Sequence, residues 1–392
     1  MRVLTRRGAK ARATTVLLGS AAIAGVALGV LPGAASAFAA THRKHFFGDR
    51  RDAVFVQTDN AAGNQVAAYR RAGDGTLSLA GTYSTGGLGG QLAGSVVDHL
   101  ASQGSLQFDR RHGLLFAVNA GSNTVSVFAV RGDRLALRQV IGSGGTFPVS
   151  IATRGDLVYV LNALSGGSVQ GYYLTQDRLV AIGGSSRPLG LDPNATPQFT
   201  NTPGQVAFSP DGSQLVVTTK ANGNDVDVFG VRPDGRLTST AVVNSEPGTV
   251  PFAITFDRAG QLVIANAGTN ALTTYSLRRD GTITTLDSVG TGQAATCWVV
   301  ADGANLFASN AGSANISGYS VAGNGTLSLL GQTSTDPGTV DATVTPGGRF
   351  LYVQAGGPGA VDEFAVGPDG SLNPIGSVTV AGAAGGEGIA VG

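Results

Sequence analysis

Two carboxylates near the end of the chain are the first candidates for chemistry. Asp341 and Glu387 each stand at or just before the apolar part of a run with strand character. Two carboxylates held close together can bind a hard cation such as calcium, or can divide acid and base work by splitting their pKa values. The alternative is that both are solvated loop residues, which is the usual position of an acidic side chain. The choice depends on whether the fold brings them together.

One histidine and several amides are further candidates. His99 follows Asp98 and could act as a general base held by that carboxylate, but an exposed loop histidine is the alternative because adjacent residues point in opposite directions. The amides could bind a sugar or a lactone, or only stabilise their own turns, because asparagine readily adopts the left-handed conformation. The amides predicted to bind a ligand are Gln103, Asn119, Asn162, Gln205, Asn266, Asn310 and Gln354.

Cys297 and Trp298 are the only cysteine and the only tryptophan of the chain. Trp298 could stack on a sugar ring, although a large aromatic residue in a strand is more often part of the core. Cys297 has no histidine near it in the sequence that would activate its thiol, so we do not expect it to be a nucleophile.

A repeated hairpin must position these residues. The stretch LFAVNAGSNTVSVFAV, residues 115–130, has two alternating apolar runs around a short turn, which predicts a β-hairpin. Its anchor, an aliphatic residue followed three positions later by an aromatic one, occurs seven times. The aromatic members are Tyr69, Phe128, Tyr172, Phe229, Tyr275, Tyr319 and Phe364. A period of about 44 residues is that of a propeller blade, so the sequence predicts an all-β, seven-bladed propeller of four-stranded blades.

The ends of the repeat predict how the ring closes. The first repeat lacks its first strand, and GEGIAV, residues 386–391, has the character of such a strand with no hairpin after it. The C-terminal strand should therefore complete blade 1 and remove an open sheet edge. Closure would make Asp341 of blade 7 and Glu387 of blade 1 neighbours at the mouth of the central channel. Two long links, residues 86–103 and 182–204, should rise from this same top face as a partial lid.

Composition and charge agree with an exported all-β protein. Sixty glycines and only 13% charged residues indicate short strands and many turns. Residues 1–37 combine a basic head, an apolar run and the cleavage pattern Ala35-Ser36-Ala37, which predicts a signal peptide. A retained membrane anchor is the alternative. Arg6-Arg7 could belong to a twin-arginine signal. We therefore predict a secreted monomer with a linker at 38–51, a propeller at 52–392 and no retained membrane span.

The charge balance also bears on partners. The first 37 residues hold five of the 26 basic residues and none of the 25 acidic ones, so the mature chain is mildly acidic. Nucleic acid is therefore excluded as an expected partner, because phosphate binding needs a basic face.

The hairpins AVNAGSNTVSVF, IANAGTNALTTY and SNAGSANISGY resemble those of the seven-bladed lactonase-like propellers, a family that includes 6-phosphogluconolactonase and carboxymuconate cyclase relatives. They are also similar to the Tyr-Val-Thr-Asn repeats of some bacterial surface proteins. The resemblance spans roughly residues 52–392 and implies hydrolysis of a lactone ring at the top-face channel mouth. The histidine and glutamate that the cyclase and phosphogluconolactonase members use have no counterpart at the matching positions. A non-catalytic propeller that binds a glycan, a cell-wall component or a protein therefore stays open.

Overall fold

Seven antiparallel sheets, arranged as the blades of a ring, make up the computed structural model, which describes residues 53–392. The strands of blades 1 to 3 are β1 (Ala53–Gln57), β2 (Gln65–Arg71), β3 (Leu77–Ser84), β4 (Leu106–Asp109), β5 (Leu114–Asn119), β6 (Thr124–Arg131), β7 (Arg134–Gly142), β8 (Pro148–Arg154), β9 (Leu157–Asn162), β10 (Ser168–Thr175), β11 (Arg178–Ala181) and β12 (Arg187–Pro188). Those of blades 4 and 5 are β13 (Val206–Phe208), β14 (Gln214–Thr218), β15 (Asp225–Gly230), β16 (Val242–Ser245), β17 (Pro251–Phe256), β18 (Leu262–Asn266), β19 (Ala271–Leu277) and β20 (Ile283–Gly290).

Blades 6 and 7 complete the ring. Their strands are β21 (Thr296–Ala301), β22 (Asn305–Asn310), β23 (Asn315–Val321), β24 (Leu327–Ser334), β25 (Thr339–Val344), β26 (Phe350–Ala355), β27 (Ala360–Val366) and β28 (Leu372–Thr379). In blades 2 to 7 the four strands follow chain order from the centre outward, and blade 3 has β12 as a fifth strand beside β10. The predicted seven-bladed all-β architecture is confirmed.

The last strand, β29 (Ile389–Val391), is the innermost strand of blade 1 and pairs with β1. Val54 lies opposite Val391, and Val56 lies opposite Ile389. The predicted closure by the C-terminus is therefore confirmed. Burial differs along each blade, since the middle strands are apolar and buried on both faces, whereas the outer strands are exposed or half-buried at almost every position.

Buried tyrosines tie neighbouring blades together. The Tyr159 hydroxyl donates to the Gly235 carbonyl oxygen of blade 4 at 2.7 Å, and the Tyr352 hydroxyl of blade 7 donates to the Gly75 carbonyl oxygen of blade 1 at 2.6 Å. Each ring therefore fills the apolar space between two blades while its polar tip is satisfied by the next blade.

The two long links lie on one face, here called the top face, which also carries the turn between the second and third strands of each blade. We call residues 86–103 the first insertion and residues 182–204, which contain the short helix α1 (Gln198–Asn201), the second insertion. They contact each other directly, because the Ala93 N–H donates to Gln198 Oε1 at 3.0 Å and the Phe199 N–H donates to the Ala93 carbonyl oxygen at 3.4 Å. Together they form the outer cover of this face.

The predicted signal peptide, the linker and Asp52 lie outside the described residues. Within residues 53–392, no helix is long and apolar enough to cross a membrane.

Candidate functional site

The first insertion crosses the top of the ring and closes the central channel. Ser102 Oγ donates to the Val149 carbonyl oxygen of blade 3 at 2.9 Å, while Gln103 exchanges hydrogen bonds of 2.9 and 3.0 Å with the backbone of Val299 in blade 6. The Gln103 N–H also donates to the Gly204 carbonyl oxygen of the second insertion at 3.2 Å. Bonds to opposite sides of the ring place this segment over the channel axis.

Closure brings Asp341 and Glu387 together, but beneath this cover. Their side chains are hydrogen-bonded to each other, and both residues are buried. Glu387 accepts hydrogen bonds from the Gly104 N–H at 3.0 Å and from Ser102 Oγ at 3.2 Å. The pair therefore supports the first insertion from below and does not line an open mouth. Asp341 also lines a cavity of about 290 Å³ within the channel.

Burial controls the protonation of this pair. Desolvation raises the pKa of Asp341 to about 7, and desolvation together with the nearby carboxylates raises the pKa of Glu387 well above its ordinary value. Asp59, whose Oδ2 accepts the Glu387 N–H at 2.7 Å, has its pKa raised to about 8 by the same desolvation. Burial therefore favours the protonated form of all three carboxyl groups.

The pair does not fit the predicted calcium ion. Calcium takes six to eight oxygen ligands and prefers ionised carboxylates. The oxygens of Asp341 and Glu387 instead accept protein N–H and hydroxyl groups, and the raised pKa values of both groups favour the protonated form over the ionised one. In the part of the chain that the structure describes, no three His, Cys, Asp or Glu side chains are grouped to hold a metal ion.

The repeated asparagines are buried inside their own blades. In three repeats, the amide nitrogen donates to a hydroxyl oxygen seven residues further along, across the hairpin. The pairs are Asn119 with Ser126 at 2.8 Å, Asn266 with Thr273 at 2.8 Å and Asn310 with Ser317 at 2.9 Å. Asn162 instead donates to the Ser143 carbonyl oxygen at 3.2 Å. These hydrogen bonds stabilise the turns, which explains why asparagine recurs at this position. None of the four side chains lines the top-face pocket described below.

The remaining predicted residues also make contacts within the protein. Gln205 accepts a hydrogen bond from the Ile254 N–H, and Gln354 donates to the Gln57 carbonyl oxygen at 3.3 Å. The His99 ring packs on Gly385, where an added Cβ would lie 2.1 Å from Nε2, and partial burial lowers the pKa of His99. Asp98 does not hold this ring, because its carboxylate accepts backbone N–H groups instead.

A pocket of about 190 Å³ opens beside the covered channel, between the insertions and blades 4, 5 and 6. The first insertion contributes Val96, Val97 and Asp98 to its wall, and the second contributes Phe199. The inner strands of blades 5 and 6 contribute Phe252 and Trp298, whose rings pack edge to face with centroids 5.1 Å apart. The pocket is therefore apolar, with a small number of charged groups.

Lys220 links the two insertions at this pocket. It follows β14 in a short turn with φ of 54° and is buried. Its Nζ donates to the Ala101 carbonyl oxygen of the first insertion at 2.6 Å and to the Phe199 carbonyl oxygen of the second at 2.7 Å. Desolvation lowers the pKa of Lys220 to about 7, although the nearby Asp98 carboxylate favours the charged form.

Asp98 is the acidic partner in the same wall. Its Oδ1 accepts the N–H groups of Leu100 and Ala101, both at 2.8 Å, whereas its Oδ2 accepts only the Ser102 N–H, at 3.0 Å. Burial raises the pKa of Asp98 to about 6 against the effect of these bonds and of Lys220, so it is mostly a carboxylate at neutral pH. Burial also raises the pKa of Cys297 to about 12, which keeps its thiol protonated and weakly nucleophilic.

Sequence reasoning missed Lys220, although its rarity was a usable signal. It is the only lysine between residues 53 and 392, and Cys297 and Trp298 are the only residues of their types in the chain. All three line this one pocket. In a chain built mainly from Gly, Val, Ala and Thr, such a convergence distinguishes this pocket from the rest of the ring.

The fold has many solved relatives. A putative 6-phosphogluconolactonase from Bacteroides fragilis superposes with a TM-score of 0.68 at 20% identity, over 87% of this chain and 98% of that one. A periplasmic gluconolactonase from Pseudomonas aeruginosa gives a TM-score of 0.67 at 19% identity, over 87% and 98%. A virginiamycin B lyase from Staphylococcus aureus gives 0.52 at 13% identity, over 75% and 89%. At these identities the likeness shows the fold alone.

No curated protein sequence matches this chain. A family model does match, and it spans residues 93–385, which is most of the chain and includes the second insertion, most of the first insertion, Lys220, Cys297 and Trp298. With that match and seven blades closed by the C-terminal strand, the chain belongs to the seven-bladed β-propeller lactonase family.

Proposed function

We propose that this protein hydrolyses a lactone ring in the top-face pocket between the two insertions. The observation that carries the proposal is that Asp98 and Lys220, of opposite charge, line one apolar pocket of about 190 Å³. Lactone hydrolysis is also the activity implied by the family name, and it is the activity after which the two gluconolactonase neighbours are named. Both charged groups act more strongly in an apolar pocket than in water, because the low dielectric leaves them poorly screened.

The reaction uses water as the nucleophile. Asp98 Oδ2, which accepts one N–H and retains capacity for a second donor, takes a proton from the attacking water. The water oxygen bonds to the lactone carbonyl carbon, and the positive charge of Lys220 stabilises the oxyanion that develops. Collapse of this intermediate breaks the ring C–O bond, and Asp98 returns its proton to the departing alkoxide. The product is the open hydroxy acid.

These roles define the pH dependence of the reaction. Asp98 must be ionised and Lys220 must be protonated. Activity therefore rises with pH as Asp98 ionises and falls again as Lys220 loses its proton. The pKa values of about 6 for Asp98 and about 7 for Lys220 predict a narrow bell centred between them. Because the two groups interact, the two apparent pKa values of the pH–rate profile describe the pair and not either residue alone.

We place no chemistry on Asp341, Glu387 or His99. The first two lie beneath the first insertion with their oxygens bonded to it, and the third lies outside the pocket wall. The non-catalytic alternative, in which the same pocket only binds a ligand, is the competing outcome of the experiment below.

The test is ring opening, followed as acid release from simple lactones by the full-length protein. We expect Asp98→Asn to reduce kcat/KM by about 10²- to 10⁴-fold, the usual contribution of a general base. Asp257→Asn is the matched control, because Asp257 is also buried and accepts a backbone N–H, from Gln261 at 2.8 Å, in a turn on the opposite face. Equal activity in the two variants would refute the role of Asp98. A wild type that opens no lactone would favour the binding module.

We also propose that the protein is exported and acts as a monomer outside the cytoplasm. The leader pattern of residues 1–37 supports this proposal, as does the periplasmic description of the Pseudomonas aeruginosa relative. N-terminal sequencing of the mature protein should begin at Phe38, and its elution volume should correspond to one chain. A retained Met1 in the mature protein would contradict the proposed processing.

A further inference from the structure

We infer that the pocket selects a lactone with an apolar ring and a short hydrocarbon substituent, and that it discriminates against polyhydroxylated and phosphorylated sugar lactones. The inference rests on the proposed function and adds the substrate class. It depends on three features of the pocket: its size, the partners of its polar groups and its charge.

The size fits one small ring. A dry apolar cavity of about 150 Å³ is large enough to bind benzene. The pocket holds about 190 Å³, so a six-membered lactone fits with room for a few more carbon atoms. The Phe252 and Trp298 rings and the Phe199 side chain supply flat apolar surface against such a ring.

The polar groups of the wall are already bonded to the protein. Ser95 Oγ donates to the Leu92 carbonyl oxygen at 2.8 Å, Thr200 Oγ1 donates to the Pro197 carbonyl oxygen at 3.2 Å, and Trp298 Nε1 donates to the Ser102 carbonyl oxygen at 2.6 Å. Apart from Asp98 Oδ2, which accepts the attacking water, the wall offers a sugar hydroxyl few partners to replace the water that it loses on entering the pocket. Each such hydroxyl weakens binding by roughly tenfold or more.

The charge of the pocket also disfavours a phosphate. Phosphate binding uses arginine or lysine side chains with free donors. Lys220 is the only lysine of residues 53–392, its Nζ donates to two carbonyl oxygens, and no arginine lines the pocket. The carboxylate of Asp98 stands in the same wall and repels a phosphate dianion.

The rim favours a hydrocarbon tail. Val96 lies on the pocket wall and is 80% exposed. A substituent that extends from the ring toward solvent would cover this side chain, which is otherwise an uncovered apolar surface on the first insertion.

The experiment has a binding arm and a turnover arm, both on the full-length wild type. Trp298 is the only tryptophan, so its fluorescence reports on the pocket directly. The binding probes are a propyl-substituted δ-lactam and glucono-δ-lactam, which resist hydrolysis. The turnover substrates are the propyl-substituted δ-lactone, gluconolactone and 6-phosphogluconolactone. We expect the propyl lactam to shift Trp298 emission saturably, and we expect kcat/KM for the propyl lactone to exceed that for either sugar lactone by at least a hundredfold.

The outcomes separate the inference from the proposed function. Faster turnover of a sugar lactone would overturn the inference and leave lactone hydrolysis standing. Saturable binding of the propyl lactam with no turnover of any lactone would support the ligand class and overturn the proposed function. If glucono-δ-lactam binds as tightly as the propyl lactam, or if neither lactam changes Trp298 emission, the inference fails.

Discussion

Lys220→Met removes the charge that links the two insertions while keeping a side chain of similar length. In the wild type, Nζ donates to the carbonyl oxygens of Ala101 and Phe199, and Met can donate to neither. Each buried carbonyl that loses its donor costs about 1–3 kcal/mol, so the two together cost about 2–6 kcal/mol.

Burying the ammonium is itself unfavourable in the wild type near neutral pH. The variant avoids this penalty, which offsets its loss of the two hydrogen bonds. The pKa of Lys220 falls from 10.5 in the unfolded chain to about 7 in the folded one. Between these values the unfolded chain binds the extra proton, so the free energy of unfolding of the wild type rises with pH by up to about 1.4 kcal/mol per pH unit. At pH 8 about 3 kcal/mol of the penalty for burying Lys220 persists in the wild type. The two proteins should then differ in stability by at most about 3 kcal/mol, whereas the wild type should gain a further 2–3 kcal/mol by pH 10.

The assay is denaturant unfolding followed by Trp298 fluorescence at pH 8, 9 and 10, read as the difference between wild type and variant. The difference cancels the titration of groups that both proteins share, including Asp59. Arg70→Met is the matched control, because it also replaces a cation by Met, at a half-exposed site where Arg70 pairs with Asp133 at 2.7 Å. If the difference between wild type and Lys220→Met is as flat as that of the control, burial does not lower the pKa of Lys220 and the reasoning is wrong.

Two further predictions concern the closure and the carboxyl pair. Deletion of residues 387–392 removes Ile389 and Val391, whose burial contributes about 3–6 kcal/mol, so the truncated protein should melt at least about 5 °C lower or aggregate; an unchanged Tm would contradict the role of β29. Asp341→Asn removes a group whose pKa rises to about 7 on folding, so its contribution is present at low pH and is lost as pH rises through 7. The variant should therefore gain about 3 kcal/mol relative to the wild type between pH 5 and pH 8, and a pH-independent difference would show that Asp341 is not a buried acid.

The fold could be predicted because its signals are local and repeated. Tyr172, Tyr275 and Tyr319 recur at one position of the hairpin, where each ring fills the space between blades and must be aromatic. Closure was also predictable, because the apolar pattern that ends at Val391 had no partner unless it joined β1. Three of the repeated asparagines follow the same logic, since Asn119, Asn266 and Asn310 each donate to a hydroxyl group of their own hairpin.

The site could not be predicted because it is built by chain segments without periodicity. The first insertion crosses the ring through Ala101, with φ of 47°, and meets Lys220, with φ of 54°. Neither conformation is indicated by residue type, since glycine or asparagine is usual at positive φ. The insertion also covers Asp341 and Glu387, so the two carboxyl groups predicted at an open mouth form a buried pair with raised pKa values.

The most direct test of the central claim is to fill the pocket and measure lactone hydrolysis. Ala311 lines the pocket on the turn after β22, and Ala311→Phe would occupy much of its volume; Ala267→Leu fills it from blade 5 as a second variant. Ala62→Phe, on the exposed turn of blade 1, is the matched control. We predict that both filled variants keep a Tm close to that of the wild type and lose at least a hundredfold in kcat/KM, while the control keeps full activity. Full activity in folded Ala311→Phe and Ala267→Leu would contradict the assignment of lactone hydrolysis to this pocket.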